Sequence, residues 1–476
     1  MKTRHVRTAI LCLLALRVFA FCYAWDRLPL LPTYDEAIIN DPAVALSRGM
    51  GLVAFSYSGI PIADRYAHFP PLFMFLQAAT FRIFGFSALT LRFWPIAFGV
   101  LSSLLLLCVL DRLWKRGVLA GWAAAVTACL CLVDLPTLWD SRAGRMDTMV
   151  VALGLAALAL LLANPGHIAS AIKWWVAALL IGSAMATHPA AIFYYWAFVV
   201  ALWVFRSDLG WKIALGCSLL PGATLIAIWL GTHGEQSINA FRQFQTIHAQ
   251  HQDLGMKFGY WWSLLLAGDA QMILYWGVTW VIVVGGWSAP VIAFLVSRKK
   301  TWAACALAGA GLYLIAWLLT GLFVPRVVVA FPLALLLFAV SLSALHGTGV
   351  KVAGVLIAVV LVVESVAMFG YLRRARGDDA GRSPGRFSAL QFPAEASVAS
   401  VPALWFEFMR RGRPLRVIYE GLPMDHNYWT AEPSRLEQYN IVILETDHPY
   451  LDFPGIRNRK ITTVKDAGWE YRICEK

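Results

Sequence analysis

The chain has 476 residues, of which 59% are hydrophobic and 14% charged, with 21 tryptophans and a formal net charge of +12. Soluble domains carry roughly a quarter of their residues as charged side chains, so this composition excludes an ordinary globular domain and points to a polytopic membrane protein. The basic excess would suggest a nucleic-acid partner in a soluble protein; here it is first a matter of membrane orientation, and no nucleic acid is inferred.

Recurrent apolar runs of ~17–25 residues match the hydrocarbon thickness that a helix must cross, whereas a barrel would alternate polar and apolar residues. The spans are therefore predicted to be α-helices. The first, at about 8–25, has a basic flank and ends in Phe21, Tyr23 and Trp25, an interfacial aromatic cluster rather than a cleavage site. It enters from the cytoplasm and carries Arg17 inside its apolar run.

A polar segment, 26–69, follows, and it contains "YDEAIIND", Tyr34 to Asp41. Adjacent helical residues diverge by about 100°, so Asp35 and Glu36 would not act as one dyad. One could serve as a base while the other helps to hold it, or both could be the acidic first turn of a helix. In "HFPPL" the two prolines suit a helix start, and His68 beside them is a candidate phosphate or metal contact. The next run, 70–86, contains Gln77 and Arg82, and a full crossing there would put "DRLWKRG" outside. A juxtamembrane helix fits better.

Spans are then expected at about 91–110, 118–136, 147–163, 172–188, 190–205, 212–230, 273–296, 301–320, 327–345 and 352–371. With the first helix this makes about eleven transmembrane helices. Loops carrying Arg112, Lys115 and Arg116; Arg206 and Lys212; Arg298, Lys299 and Lys300; and Lys351 fall on the cytoplasmic side, as the positive-inside tendency requires. The outer side collects 26–69, 231–272 and everything after about 373.

In "SRAGRMDTMVV" Arg142, Arg145 and Asp147 stand at the outer end of the 147–163 helix. Asp147 could cap that helix. The two arginines run against the positive-inside trend, which calls for an anionic partner. The outer loop 231–272 holds His233, His248, His251, Asp253 and Lys257. His248 and His251, three apart, could share a helix face and ligate a divalent metal, or belong to a polar amphipathic helix; Lys257 is a cation available to a lipid phosphate. Arg326, in "TGLFVPRVVVAFP", could face an anionic headgroup or phosphate, or anchor by snorkelling. Arg17 and Glu364 lie in apolar runs and need partners or water.

Seven of the eight cysteines lie in apolar runs and behave as small hydrophobes, with Cys474 alone near the C-terminus, so no disulfide framework is implied. After "LRRARGDDAGRSPGR", a linker, the segments "PLRVIYEG", "YNIVILETD" and "YRICEK" read as strands and "ALWFEFMRRG" as a helix. The expected organisation is a transmembrane domain over 1–372 and a small extracytoplasmic α/β domain over 373–476. No internal repeat is evident.

The order of these features resembles one family. Asp-Glu at 35 and 36, Pro-Pro-Leu at 70–72, "GFSALTLRF" at 85–93, Arg-x-x-Arg-x-Asp at 142–147, Pro-Arg at 325 and 326 and then Pro332 resemble the bacterial branch of the protein O-mannosyltransferase superfamily, which includes the lipid A aminoarabinose transferases. The resemblance implies a GT-C glycosyltransferase of the bacterial inner membrane, with the N-terminus cytoplasmic and the C-terminal domain periplasmic or extracellular. It implies a polyprenyl-phosphate-linked sugar donor and an envelope glycan, lipid A, another membrane lipid or a protein as acceptor. Asp35 would be the general base of an inverting transfer, Glu36 its support and Asp41 a bystander. Asp147 would shape the substrate pocket, with Tyr34, Arg142 and Lys257 around it. Arg145, Arg326 and His68 would neutralise the departing phosphate; some members of the family bind a metal and others need none. Two other readings stand beside it, a transporter or flippase with Arg17, Glu364 and Asp147 along a pathway, and a non-catalytic scaffold or sensor with an outer ligand-binding domain.

Overall fold

The computed structural model describes residues 3–23, 34–53, 70–163, 170–204, 300–318 and 324–376, short pieces between 215 and 295, and most of 393–476 except 394, 401–403, 411–415, 418–432, 447–448 and 467–468. The side chains of Tyr34, Asp35 and Arg326 lie outside the described residues, as do His68, His233, His248, His251, Asp253 and Lys257 altogether.

Among the described residues the first half is helical almost throughout. Helix α1 (Thr3–Cys22) is followed by α2 (Tyr34–Ser47), α3 (Leu72–Phe84), α4 (Ala88–Lys115), α5 (Gly121–Val133), α6 (Leu135–Ser141), α7 (Asp147–Leu161), α8 (Ser170–Met185) and α9 (Ile192–Val204). Further on come α10 (Lys300–Leu318), α11 (Val324–Ser343) and α12 (Thr348–Arg376). The main core gathers around α7, which packs against α4, α8, α9 and α11. Helix α1 lies on α4 and α5, and α12 covers α5 and α6.

Among the described residues, two helices, Ala88–Lys115 and Thr348–Arg373, are long and apolar enough by themselves to cross a membrane. At the site α3 has 13 described residues, α5 13 and α7 15. The expected 118–136 span is interrupted. It stops at Val133, where Asp134 turns extended, accepts a hydrogen bond from the Thr137 backbone N–H at 2.8 Å and so caps α6, with Pro136 in the first turn of that helix. The spans expected at 212–230 and 273–296 fall mostly outside the described residues.

The helix expected at 70–86 is α3, begun by the Pro70–Pro71 pair and ended by Gly85 in the left-handed region (φ 77°). Ser87 then starts α4 with a reciprocal capping box to Thr90.

The C-terminal region forms a mixed five-stranded sheet in the order β2-β1-β3-β5-β4. Its strands are β1 (Val398–Ser400), β2 (Arg416–Val417), β3 (Ile441–Glu445), β4 (Lys460–Asp466) and β5 (Trp469–Glu475). The first is parallel to β2 and β3, with Ala399 opposite Val442, while β5 runs antiparallel to both β3 and β4, with Ile443 opposite Ile473. The three strands expected from sequence correspond to β2, β3 and β5; β1 and β4 are additional. The predicted helix is Trp405–Arg410.

Candidate active site

Helix α2 brings the acidic segment into the bundle. Glu36, on its first turn, is buried, and its Oε1 accepts the backbone N–H of Gly144 at 2.9 Å and Nε of Arg92 at 3.3 Å. Gly144 lies in the tight turn between α6 and α7. A Cβ at that position would sit 2.8 Å from Glu36 Oε1 and 3.1 Å from Asn40 Nδ2, so only glycine permits this approach. One turn further along α2, Asn40 Nδ2 donates to the carbonyls of Glu36, at 2.8 Å, and Gly144, at 2.6 Å.

Gln77 of α3 closes the network from below. Its Nε2 donates to Asn40 Oδ1 at 3.1 Å and to the Leu91 carbonyl at 2.8 Å. Proline at 95, within α4, has no N–H to offer the carbonyl four residues earlier, and that carbonyl is Leu91. The Gln77 amide thus supplies the donor that Pro95 lacks. This residue, which weakens 70–86 as a membrane span, is fully buried in a hydrogen-bond network.

The α6–α7 turn carries the second acidic group. Asp147 is the first residue of α7, but it is not the cap; that position belongs to Met146, which makes no side-chain capping bond. Asp147 Oδ2 instead accepts Nε of Arg145 at 2.8 Å, and Asp140 Oδ1 lies 3.4 Å from the same nitrogen. The anionic partner expected for Arg145 is therefore within the chain. Asp147 is fully buried, and its Oδ1 has no hydrogen-bond partner among the described residues. Arg142, also fully buried, stands over the Tyr371 ring of α12 at 5.3 Å.

The structure thus brings Glu36, Arg142, Arg145 and Asp147 to the junction of α2 with the α6–α7 turn, and the backbone of Asp35 precedes Glu36 there. Arg326 is the third residue of α11. Asp41, expected to be a bystander in the chemistry, is fully buried, and its Oδ1 accepts the indole N–H of Trp405, in the C-terminal region, at 3.0 Å. Arg17 and Glu364 find partners at the α5–α6 break. Arg17 Nη2 pairs with Asp134 Oδ2 at 3.0 Å, and Glu364 Oε2 accepts the Leu135 N–H at 3.2 Å. Among the described residues no three His, Cys, Asp or Glu side chains converge as a metal site.

No family model matches the sequence, and no curated protein matches it significantly. Solved structures do match. The chain is similar to ArnT, a lipid A aminoarabinose transferase, from Cupriavidus metallidurans bound to undecaprenyl phosphate, at 14% identity and a TM-score of 0.61, with 99% of this chain and 98% of that one covered. It is also similar to the Archaeoglobus fulgidus oligosaccharyltransferase tethered with an acceptor peptide, at 13% identity and a TM-score of 0.54, covering 93% of this chain and 69% of that one. Both belong to the GT-C superfamily. The chain has the GT-C fold.

Sequence reasoning passes over Arg92, Asn40, Asp134 and Asp140. Arg92 is the most telling: it lies in the quoted "GFSALTLRF", fully buried in an apolar helix, and such a charge calls for a carboxylate. That signal is readable, but its partner, Glu36, is not.

Proposed function

We propose that this protein is an integral membrane glycosyltransferase that moves a sugar from a polyprenyl-phosphate carrier to a cell-envelope acceptor, whether lipid, glycan or protein, at the extracytoplasmic face. The observation that carries this reading is the length-wide fold similarity to an enzyme bound to undecaprenyl phosphate, together with a helix that begins Tyr34-Asp35-Glu36 and is pinned to the α6–α7 turn.

In this reading Asp35 takes the proton from the acceptor as its nucleophilic oxygen or nitrogen attacks the anomeric carbon from the face opposite the phosphate. The bond from that carbon to the phosphate oxygen breaks, its electron pair leaves with the polyprenyl phosphate, and the configuration inverts. A base placed in this way contributes ~10²- to 10⁴-fold. Glu36 acts as a positioning residue, since its carboxylate is committed to Gly144 and Arg92. Asp147 borders the pocket with Tyr34 and Arg142. The phosphate gains charge as it leaves and needs cations in a poorly polarisable site. Arg145 is engaged by two carboxylates, which gives more of that task to Arg326, His68 and Lys257.

Mass spectrometry of envelope lipids, glycans and glycoproteins from cells with and without the protein tests the reading, and Asp35→Asn tests the base. Transfer should fall by ~10²-fold or more in Asp35→Asn at wild-type protein level. Envelope glycans that do not change on deletion would overturn the transferase reading, and full transfer by Asp35→Asn would overturn the base.

A further inference from the structure

The C-terminal domain and the acidic helix share one hydrophobic core. Ala37 and Val44 of α2 and Met74, Ala78 and Phe81 of α3 are buried together with Leu404, Trp405, Phe408 and Met409 and with Ile443 and Ile473 of the sheet. Phe86, in the α3–α4 connection, packs against both sides of the contact. Its ring stands edge-on to Phe81 at 5.1 Å and to Trp405 at 5.6 Å, and tilted against Phe406 at 5.2 Å.

Polar links cross this core as well. The Trp405 indole N–H is donated to Asp41 Oδ1, and Arg48 Nη2 is donated to the Met409 carbonyl at 3.0 Å. Asp41 immediately precedes Pro42, which lies inside α2. A proline there removes one helix hydrogen bond, and the residue before a proline is pushed out of the helical region. Helical continuity at Asp41 is therefore locally disfavoured and must be held from outside. Asp35 lies six residues upstream, about 9 Å along the axis. On the bundle side, Glu36 and Asn40 tie the same half-helix to Gly144.

We infer that Trp405 is a positioning residue. Through Asp41 it holds α2 straight across Pro42, so that the first turn of α2 keeps its place beside the α6–α7 turn. The C-terminal domain is on this account part of the working site. The catalytic consequence rests on the glycosyltransferase reading; the mechanical one does not.

Hydrogen exchange on the full-length protein in lipid nanodiscs tests the mechanical claim. Trp405→Phe keeps an aromatic ring in the core but removes the N–H. Backbone amides of 34–41 should then exchange at least about fivefold faster while β3 and β5 keep their protection. Asp41→Leu should deprotect them at least as much, Trp405→Phe should add nothing on top of it, and Asp41→Asn, which retains an Oδ1 acceptor for the indole, should keep more protection than Asp41→Leu. Unchanged exchange over 34–41 in Trp405→Phe overturns the inference, as does equal deprotection of β3 and β5, which would make Trp405 only a core residue of its own domain.

Sugar transfer from polyprenyl-phosphate donors in native membranes tests the catalytic consequence. Trp405→Phe should lower turnover by about tenfold or more with the donor KM unchanged, and Asp41→Asn should retain it. Undiminished turnover in Trp405→Phe overturns the positioning role. A wild-type protein that transfers nothing overturns the glycosyltransferase reading instead, and the exchange result then decides the mechanical claim by itself.

Discussion

A methyl group at position 144 would stand 2.8 Å from Glu36 Oε1 and 2.9 Å from Glu36 Cγ, inside van der Waals contact on both. Neither atom can yield cheaply, because Oε1 is held by the Gly144 N–H and by Arg92. Gly144→Ala should therefore push α2 away from the α6–α7 turn and destabilise the protein by about 1–3 kcal/mol, the usual cost of overpacking a filled interior. Denaturant or thermal unfolding of the detergent-solubilised protein measures this, and a variant as stable as wild type would mean that the turn is not clamped as described. The same residue scale explains why the ionisable groups in apolar runs are tolerated. Arg17 is fully buried but faces Asp134, and its guanidinium lies over Phe21 at 4.6 Å. Such a pair adds little net stability, since desolvating two charges offsets their attraction, yet either partner left alone would be costly. The Arg17–Asp134 pair thus secures α1 against the α5–α6 break and does not call for a pathway through the bundle.

Helices α3 and α4 depend on each other through the amide of Gln77 and the missing N–H of Pro95. If Gln77 supplies the donor for the Leu91 carbonyl, Gln77→Leu should cost about 1–2 kcal/mol, with its loss to Asn40 included, and the cost should shrink by roughly 1 kcal/mol in a Pro95→Ala background, where the helix serves its own carbonyl. A double-mutant cycle on unfolding free energy checks this; strictly additive effects would refute the pairing. Elements of this kind mark the boundary of what a single sequence reveals. Hydropathy reads the bodies of long helices well: spans expected at 91–110 and 352–371 are the cores of Ala88–Lys115 and Thr348–Arg376. It misses the break at Asp134, because one carboxylate near the end of an apolar run looks like the end of the run, and only the Thr137 N–H and Arg17 make it a cap and an ion pair. Strands β1 and β4 escape for a different reason. The first has only three residues, and β4, "KITTVKD", is polar along an exposed edge and lacks the apolar pattern of β3. At the site, the types of residue are legible but their partners are not: Glu36 and Arg92 are 56 positions apart, and nothing local pairs them.

Taken as a whole, the described residues form a helical bundle of GT-C fold in which the α6–α7 turn and the C-terminal sheet region meet α2, and the charge pattern of the sequence predicts one orientation for it. The basic C-terminal end of α4, with Arg112, Lys115 and the capping Arg116, belongs on the cytoplasmic side by the positive-inside tendency. The α2 segment and the C-terminal domain, joined through Asp41 and Trp405, must then share the opposite side. Cysteine labelling in intact cells tests this, and the native thiols permit it. Cys474, the one nearest the C-terminus, is fully buried between Val442 and Ile461 in the sheet, and burial raises its thiol above the ordinary range despite Arg459 and Arg472, so it stays protonated and unreactive. With the exposed Cys12 and Cys22 replaced by alanine, new thiols can be placed at Lys115 and Lys476, both exposed. A membrane-impermeant maleimide should label Lys476→Cys in intact cells and Lys115→Cys only after permeabilisation. The reverse pattern would put the acidic helix on the cytoplasmic face, where a lipid-carried donor has no advantage over a nucleotide sugar, and would remove the physical reason for the proposed chemistry.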